Sequence, residues 1–336
     1  MAWYNTLGKA SDTVISSRVR LARNINGYPF ASRLDVTRAN EIIEKVTAPL
    51  ESSGFQKINF ADVSPIMATS FVEKHYVSPE FATKEAPRAL FLQEQEGIAV
   101  MVCEEDHLRI QSILPGLALE EAYKNASLAE KRLDEDVDFA YSAELGYLTH
   151  CPTNLGTGMR ASVMMFLPAL TMAGRIGPLA NQLAKIGLTI RGLYGEGTAA
   201  EGSLYQISNQ ITLGATEEST LKKLSDIIKQ IKESELSLRK LINEDKNPEL
   251  VDRICRAEGT LRHAFMLSSR EFISLYSDVR LGISLGFIKG IDLCTLDNLF
   301  VFVMPATLIL SAETTPKTEK ARDILRASRI KETLGR

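Results

Sequence analysis

The sequence predicts a mixed α/β front domain followed by an all-helical back domain. Three observations carry that prediction. Short apolar runs separated by turn residues follow an amphipathic stretch near the N-terminus; residues 147–214 are rich in glycine and mix β-like segments with loops; and beyond Glu217 the apolar positions run at helical spacing through a Lys/Glu-rich background. A chain of 336 residues corresponds to about two domains at about 150 residues each. We place the division at 222/223.

The elements follow in order. Leu34, Ile42, Ile43, Val46 and Leu50 lie among charged residues at the spacing of an amphipathic helix over 34–54. Ala89–Leu92 and Ile98–Val102 are short apolar runs joined by the polar stretch Gln93–Gly97, a hairpin pattern. From Glu105 to Ile113, Leu108 and Ile110 alternate with His107, Arg109 and Gln111, so a strand would set Glu105, His107 and Arg109 on one face. Leu119, Ala122, Ala126, Ala129, Leu133 and Val137 repeat at intervals of 3, 4, 3, 4 and 4, which predicts a helix. Leu221, Leu224, Ile228, Ile231, Leu238 and Leu241 continue at helical spacing with no proline until Pro248. Helical patterns then run towards Arg336, broken by a glycine-containing turn at 285–290.

Composition excludes several classes. Lys and Arg number 39 against 42 Asp and Glu, a net charge of −3, which argues against a generally basic nucleic-acid binder and a polybasic membrane-surface protein. Apolar residues at 45% and charged residues at 24% suit a globular chain with a sizeable core rather than a disordered one. The longest apolar stretch, Leu299–Leu310, is interrupted by Pro305 and falls short of the roughly 20 residues of a membrane helix. Met1–Ala10 lacks the basic-then-apolar pattern of a signal peptide. Cys103, Cys151, Cys255 and Cys294 are far apart with no CxxC pair, so neither a disulfide framework nor a zinc ribbon is expected. A cytoplasmic protein is the expectation, with neither nucleic acid nor membrane as partner.

Four segments carry chemistry. In Ser16–Asn24, an extended backbone puts Arg18 and Arg20 on one face and Val19 and Leu21 on the other. Two adjacent guanidinium groups in a cleft need an anion between them, and arginine's planar fork suits phosphate oxygens. Cys103–Arg109 places three consecutive acids beside Arg109, an arrangement that calls for facing cations or polar partners. Thr149–Arg160 joins Cys151–Pro152, two glycines and Arg160 in a tight loop whose backbone can approach a ligand, with Cys151 near positive charge; no Gly-Lys-Ser/Thr follows, so it is not a Walker A loop. Ile190–Thr198 sets Glu196 between two glycines, so this carboxylate is expected on a mobile loop that closes over a ligand. Taken singly, these segments also read as an edge strand with solvated charges, a polar turn with an intrastrand ion pair, a structural glycine turn and a hairpin tip. Together, five arginines from four stretches, each beside glycine or carboxylate, match the logic of phosphoryl transfer, in which cations neutralise a polyphosphate and a carboxylate orients the nucleophile.

At these residues the sequence resembles the ATP:guanidino phosphotransferases, the family of creatine and arginine kinases. The matching motifs are SSRVR (Ser16–Arg20), EEDHLR (Glu104–Arg109), CPTNLGTGxRAS (Cys151–Ser162) and RGxxGE (Arg191–Glu196), in the family's order. The resemblance implies an α+β fold with an antiparallel sheet flanked by helices, shared with glutamine-synthetase-like catalytic domains, and Mg2+ with ATP as phosphoryl donor. It makes Arg18, Arg20, Arg109, Arg160 and Arg191 the phosphate-binding arginines, Glu105 and Glu196 the carboxylates holding the acceptor guanidinium, and Cys151 the reactive cysteine beside it. No metal-ligating residue is assigned. Cys103 stands where the family often has Asn, and Ala199 where a Glu often follows the loop's Thr; neither removes a residue with a chemical role.

Small-molecule members carry a helical domain of about 100 residues before SSRVR; here 15 residues precede it, and the helical tail has no counterpart in them. Both features resemble the bacterial protein-arginine kinases. That likeness implies 1–222 as the catalytic domain and 223–336 as a helical dimerisation and regulatory domain. It further implies protein substrates with exposed arginines, a homodimer, a zinc-binding activator protein and a role in marking proteins for Clp-type proteolysis. Arg322-Asp323-Ile-Leu-Arg326-Ala327 resembles that group's RDxxRA element, which implies a regulatory phosphoarginine site at Arg322, Asp323 and Arg326; as a bare pattern it is also an ordinary salt-bridged helix face. The competing readings are a kinase of free arginine or another small guanidine, and a catalytically silent nucleotide- or phosphoarginine-binding regulator.

Overall fold

A computed structural model of the chain describes residues 2–192, 201–245 and 247–335. The strands are β1 (Val14–Arg23), β2 (Gln56–Asn59), β3 (Ala89–Gln93), β4 (Ile98–Val102), β5 (Leu108–Pro115), β6 (Tyr141–Ser142), β7 (Gly146–Tyr147), β8 (Met159–Phe166), β9 (Leu188–Gly192) and β10 (Leu204–Asn209). The helices are α1 (Val36–Ser52), α2 (Pro65–Glu73), α3 (Pro79–Thr83), α4 (Leu119–Asp134), α5 (Pro168–Met172), α6 (Ile176–Lys185), α7 (Glu217–Asp245), α8 (Pro248–His263), α9 (Ser269–Ser284), α10 (Leu293–Phe302), α11 (Pro305–Leu310) and α12 (Glu319–Leu334). Eight strands form one sheet in the order β2-β3-β4-β5-β1-β8-β10-β9, with every pairing antiparallel. This is the α+β arrangement expected, including the β3–β4 hairpin and the helix beginning at Leu119.

Each face of the sheet has its own cover. Along β1, Val19 and Leu21 join Ile110, Ala161, Val163 and Ile207 in a buried core completed by Ile42 and Val46 of α1, Ala122 and Leu133 of α4, and Leu221, Leu224 and Ile228 of α7. Burying each of the Val, Leu and Ile side chains stabilises the fold by about 1.5–3 kcal/mol. On the opposite face, α2 and α3 cover Leu90, Leu92, Ala99 and Met101 with Phe81 and Val77. The helices from α8 onward pack on Ile113, Met164, Phe166 and Leu204 of that face and on Trp3 and Tyr4 from the N-terminus.

The helices begin where short polar residues can take the free N–H groups: Asp35, Ser64, Ser78, Ser268, Asp292 and Thr318 each accept from a first-turn amide. The expected division at 222/223 falls inside α7. Its apolar residues from Leu221 to Ile231 belong to the core of the sheet, while Ile242 near its end packs on the second core, to which α8 contributes Leu250. Among the described residues no helix is long and apolar enough to cross a membrane.

Candidate active site

Strand register decides which side chains meet. Residues directly opposite in an antiparallel pair lie on the same face. Arg20 faces Arg160 across β1–β8 and Gln111 across β1–β5, Arg109 faces Ala22, Arg18 faces Ser162, and Arg191 faces Gln206 across β9–β10. Since Arg18, Arg20 and Ala22 alternate with Val19 and Leu21, all five arginines expected to bind phosphate lie on one face, the one left open between the α2–α3 cover and the C-terminal helices.

This concentration of charge is incompletely neutralised. Burial, then Arg109 and Arg160, push the Arg18 guanidinium down to about 10. Arg20 is driven well below its ordinary value by burial and then by Arg18, Arg109 and Arg160, with Glu104 opposing. Arg160 is lowered by burial, Arg191 and Arg109, against Cys151 and Glu105. The buried Nε atoms of Arg20 and Arg160 have no hydrogen-bond partner among the described residues. Arg18 donates from Nη2 to Gln206 Oε1 at 3.1 Å. A bound polyanion would relieve the repulsion and give the idle donors acceptors.

The acidic segment is built differently from the expected strand. β5 starts only at Leu108, because Cys103 takes a left-handed conformation (φ 64°) and the chain turns through 104–107 before its amide is met by the His107 carbonyl. As a result Glu104, not Glu105, pairs with Arg109, at 2.6 Å between Oε1 and Nη1. Glu104 also accepts from Ser78 Oγ and the Glu105 amide, and is held below the ordinary carboxylate range against its burial by Arg109 and these donors. Asp106 accepts from Asn24 and from the His150 amide, tying the turn to the cysteine loop. His107 accepts from the Ile25 amide at Nδ1 and meets the Pro29 carbonyl through Nε2. Its neighbours are thus occupied, and Glu105 lines the cavity. Burial, then Asp106 and Glu104, raise its pKa; Arg109 and a hydrogen bond from Cys151 act the other way.

Cys151 Sγ lies 3.1 Å from Thr153 Oγ1 in the loop before β8. That loop sits tight on the sheet because of glycine: a Cβ on Gly156 (φ 106°) would lie 2.5 Å from the Thr212 carbonyl oxygen, and one on Gly158 (φ 61°) 2.6 Å from that of Ala22.

Two cavities adjoin here. One, of about 220 Å3, is lined by Arg20, Glu105, Arg109, Cys151, Asn154 and Arg160 among others. The second, of about 400 Å3, extends from Arg18, Arg20 and Arg109 beneath His75 and Ser78. They share Arg20 and Arg109. Glu196 and Ala199 lie outside the described residues. Arg322, Asp323 and Arg326 lie on α12 in the helical region. Arg326 is fully buried and donates to the carbonyls of Val303 and Leu267 and to Asp323, while Arg322 remains partly exposed. The sequence reading assigned no role to Glu104, Asp106 or His75; the run of three acids was the available signal for the first two.

The site defines a guanidino-phosphotransferase architecture, and the comparisons agree. The family model "ATP:guanido phosphotransferase, C-terminal catalytic domain" matches residues 38–238, and "Protein-arginine kinase McsB C-terminal domain" matches 247–336. The chain belongs to the ATP:guanido phosphotransferase family and is an enzyme of that class. It is 41% identical to a protein-arginine kinase of Moorella thermoacetica over 99% of this chain and 97% of that one, and 42% identical to one of Pelotomaculum thermopropionicum over 98% and 94%. Among solved structures, the duplicated taurocyamine kinase of Schistosoma mansoni with bound transition-state-analogue components superposes with a TM-score of 0.62 at 27% identity. The match covers 77% of this chain and 38% of that longer one. A lombricine kinase shares the fold, with a TM-score of 0.60 at 23% identity over 70% of each chain.

Proposed function

We propose that this enzyme transfers the γ-phosphoryl group of Mg-ATP to arginine guanidinium groups of proteins. The observation that carries the reading is the pair of adjoining cavities: the smaller sets Glu105 and Cys151 beside Arg20, Arg109 and Arg160, the larger adds Arg18, and Arg20 and Arg109 stand at their seam. A cationic acceptor belongs with Glu105 and a polyphosphate with the arginines, so the transferred group lies at the seam, in line between them.

A guanidinium, with a pKa above 12, is a poor nucleophile until a carboxylate orients it and takes its proton. In this reading an acceptor Nη attacks the γ-phosphorus, the bond to the β,γ-bridging oxygen breaks, ADP leaves, and the displaced proton passes to Glu105 and then to solvent. Glu196 would hold the other edge of the guanidinium, and Cys151 would tune the same corner. The upward shift of Glu105 suits a base that works nearer neutral pH than an ordinary glutamate. Arg18, Arg20, Arg109, Arg160 and Arg191 would hold the nucleotide phosphates, with Mg2+ arriving on them.

A polypeptide acceptor is favoured by the similarity over almost the whole chain to relatives named protein-arginine kinase. With it we adopt a cytoplasmic homodimer, a zinc-binding activator as partner and a role in marking proteins for Clp-type degradation. In the proposed phosphoarginine site on α12, Arg322 would meet the phosphate, and Arg326, held by two carbonyls, would position the helix. The test is phosphoarginine detection after incubation with ATP and either an unfolded protein or free arginine. Label on the protein that is lost in Glu105→Gln and Glu196→Ala is the expected outcome; label on free arginine alone would overturn the reading.

A further inference from the structure

The acidic turn that carries Glu104 and Glu105 is gripped from outside the sheet. Within the turn, the Cys103 amide donates to the His107 carbonyl, the Glu105 amide to the Glu104 carboxylate and the His107 amide to Asn24 Oδ1. These bonds occupy amides. The carbonyls of Cys103 and Glu104 are met by one ammonium: Lys84 Nζ lies 2.7 Å from the first oxygen and 2.8 Å from the second. Cys103 is left-handed (φ 64°), and two successive carbonyls there turn to a single point. A lysine, with three donors on one nitrogen, can serve both.

Lys84 is rooted in an anchored element. It follows α3 directly, and its amide donates to the Glu80 carbonyl. Within that short helix Phe81 is fully buried, edge-on to Phe60 with ring centroids 4.7 Å apart, and Arg88 donates to the Phe81 and Ala82 carbonyls. At the other end Ser78 caps α3 by accepting from the Phe81 amide, and it donates to Glu104 Oε1 at 2.6 Å. The two ends of one helix thus hold the same turn. Ser78, with Arg109, fixes the Glu104 side chain, and Lys84 fixes the backbone. Burial lowers the Lys84 pKa; Cys103 and Glu104 oppose that shift, and Arg88 adds to it.

We propose that Lys84 is a positioning residue: by fixing the Cys103 and Glu104 carbonyls it holds the turn in the shape that sends the Glu105 carboxylate into the acceptor cavity. Lys84 takes no part in the chemistry. The groups that face Glu105 are Glu104 and Asp106 from its own turn, Arg109 from β5, Cys151 from the loop before β8 and Arg160 from β8. The inference rests on the reading of Glu105 as the base, and the experiment separates the two. Lys84→Met, Lys84→Gln and Lys84→Arg are compared with wild type on the acceptor that the wild-type chain phosphorylates, protein or free arginine, and urea unfolding checks that each variant is folded. In Lys84→Met, kcat falls by about 10- to 100-fold. KM for ATP stays within about twofold, because the arginines keep their places. The acid limb of kcat/KM moves to lower pH. A glutamate released towards solvent loses the burial and the Asp106 and Glu104 charges that raise its pKa, so it is deprotonated at lower pH. Lys84→Gln, with a donor for one carbonyl, falls between, and Lys84→Arg, with donors for both, recovers most of the rate. A purely structural lysine would lower the rate alike at every pH. That result, or an unchanged kcat in Lys84→Met, would overturn the positioning role. A full wild-type rate in Glu105→Gln would instead overturn the assignment of Glu105 as the base.

Discussion

Arg20 and Arg280 are both shielded arginines, yet the two regions that hold them treat the charge in opposite ways. In the helical region Arg280 is fully buried, lies 3.0 Å from Asp297 Oδ1, donates to the carbonyls of Ser11 and Asp12, and covers the Phe166 ring. Its pKa is raised, because Asp297 and Tyr276 outweigh the burial that would lower it. On the sheet, Arg20 is lowered by burial and by three neighbouring arginines, with Glu104 as an opposing charge, and its Nε has no hydrogen-bond partner among the described residues. A buried arginine with a matched partner clamps elements together. A cluster whose like charges are only partly offset holds its charge ready for a ligand, at a standing cost to the fold.

The largest expected effect comes from breaking the paired region. Arg280→Ala strands Asp297 and the two carbonyls in the interior. We expect a loss of about 3–5 kcal/mol in denaturant unfolding. A loss below about 1 kcal/mol would mean that the clamp is solvated and the contrast is false. Next in size is the arginine face of the sheet. Arg20→Ala should lower kcat/KM for phosphoryl transfer by about 10²–10³-fold while leaving the unfolding midpoint unchanged or slightly raised, since a self-repelling cation has been removed. Wild-type protein at tripolyphosphate concentrations near 100 Kd should gain about 2.7 kcal/mol, and Arg20→Ala should gain much less. Destabilisation of Arg20→Ala comparable to that of Arg280→Ala would show that Arg20 also serves as a structural clamp.

Much of this was legible in the sequence because period and register are local. Alternation in Ser16–Arg20 is enough to set Arg18 and Arg20 on one face, and the run from Leu119 to Val137 spells out α4. What escaped reading depended on distant partners. The exchange of Glu104 for Glu105 at Arg109 follows from the turn at Cys103, which delays β5 by three residues and so breaks the alternation on which the expected pairing relied. The division at 222/223 came from a change in composition, but composition reports the solvated faces of α7. Which core its apolar stripe enters is settled by packing, and Leu221, Leu224 and Ile228 enter that of the sheet. The wall of the larger cavity at Phe300 and Met304 joins residues about 280 positions from Arg18, beyond the reach of any local pattern.

The turn that aims the two glutamates at the arginine face supplies the smallest and most selective test. Cys103 is 2% exposed, its Sγ meets the Ala39 carbonyl, and its φ of 64° is a conformation that costs most residues about 1–3 kcal/mol. Asparagine tolerates that region better than other residues with a Cβ. Cys103→Asn relieves backbone strain but must bury a carboxamide, for which Ala39 offers one acceptor. The two effects nearly cancel, and a change within about 1 kcal/mol is expected. Cys103→Val keeps the site apolar but puts a β-branched residue at positive φ, so it should cost about 1–3 kcal/mol and lower activity through Glu104 and Glu105. If urea unfolding ranked valine level with asparagine, the turn would owe its shape to the core around it and not to the residue at its apex.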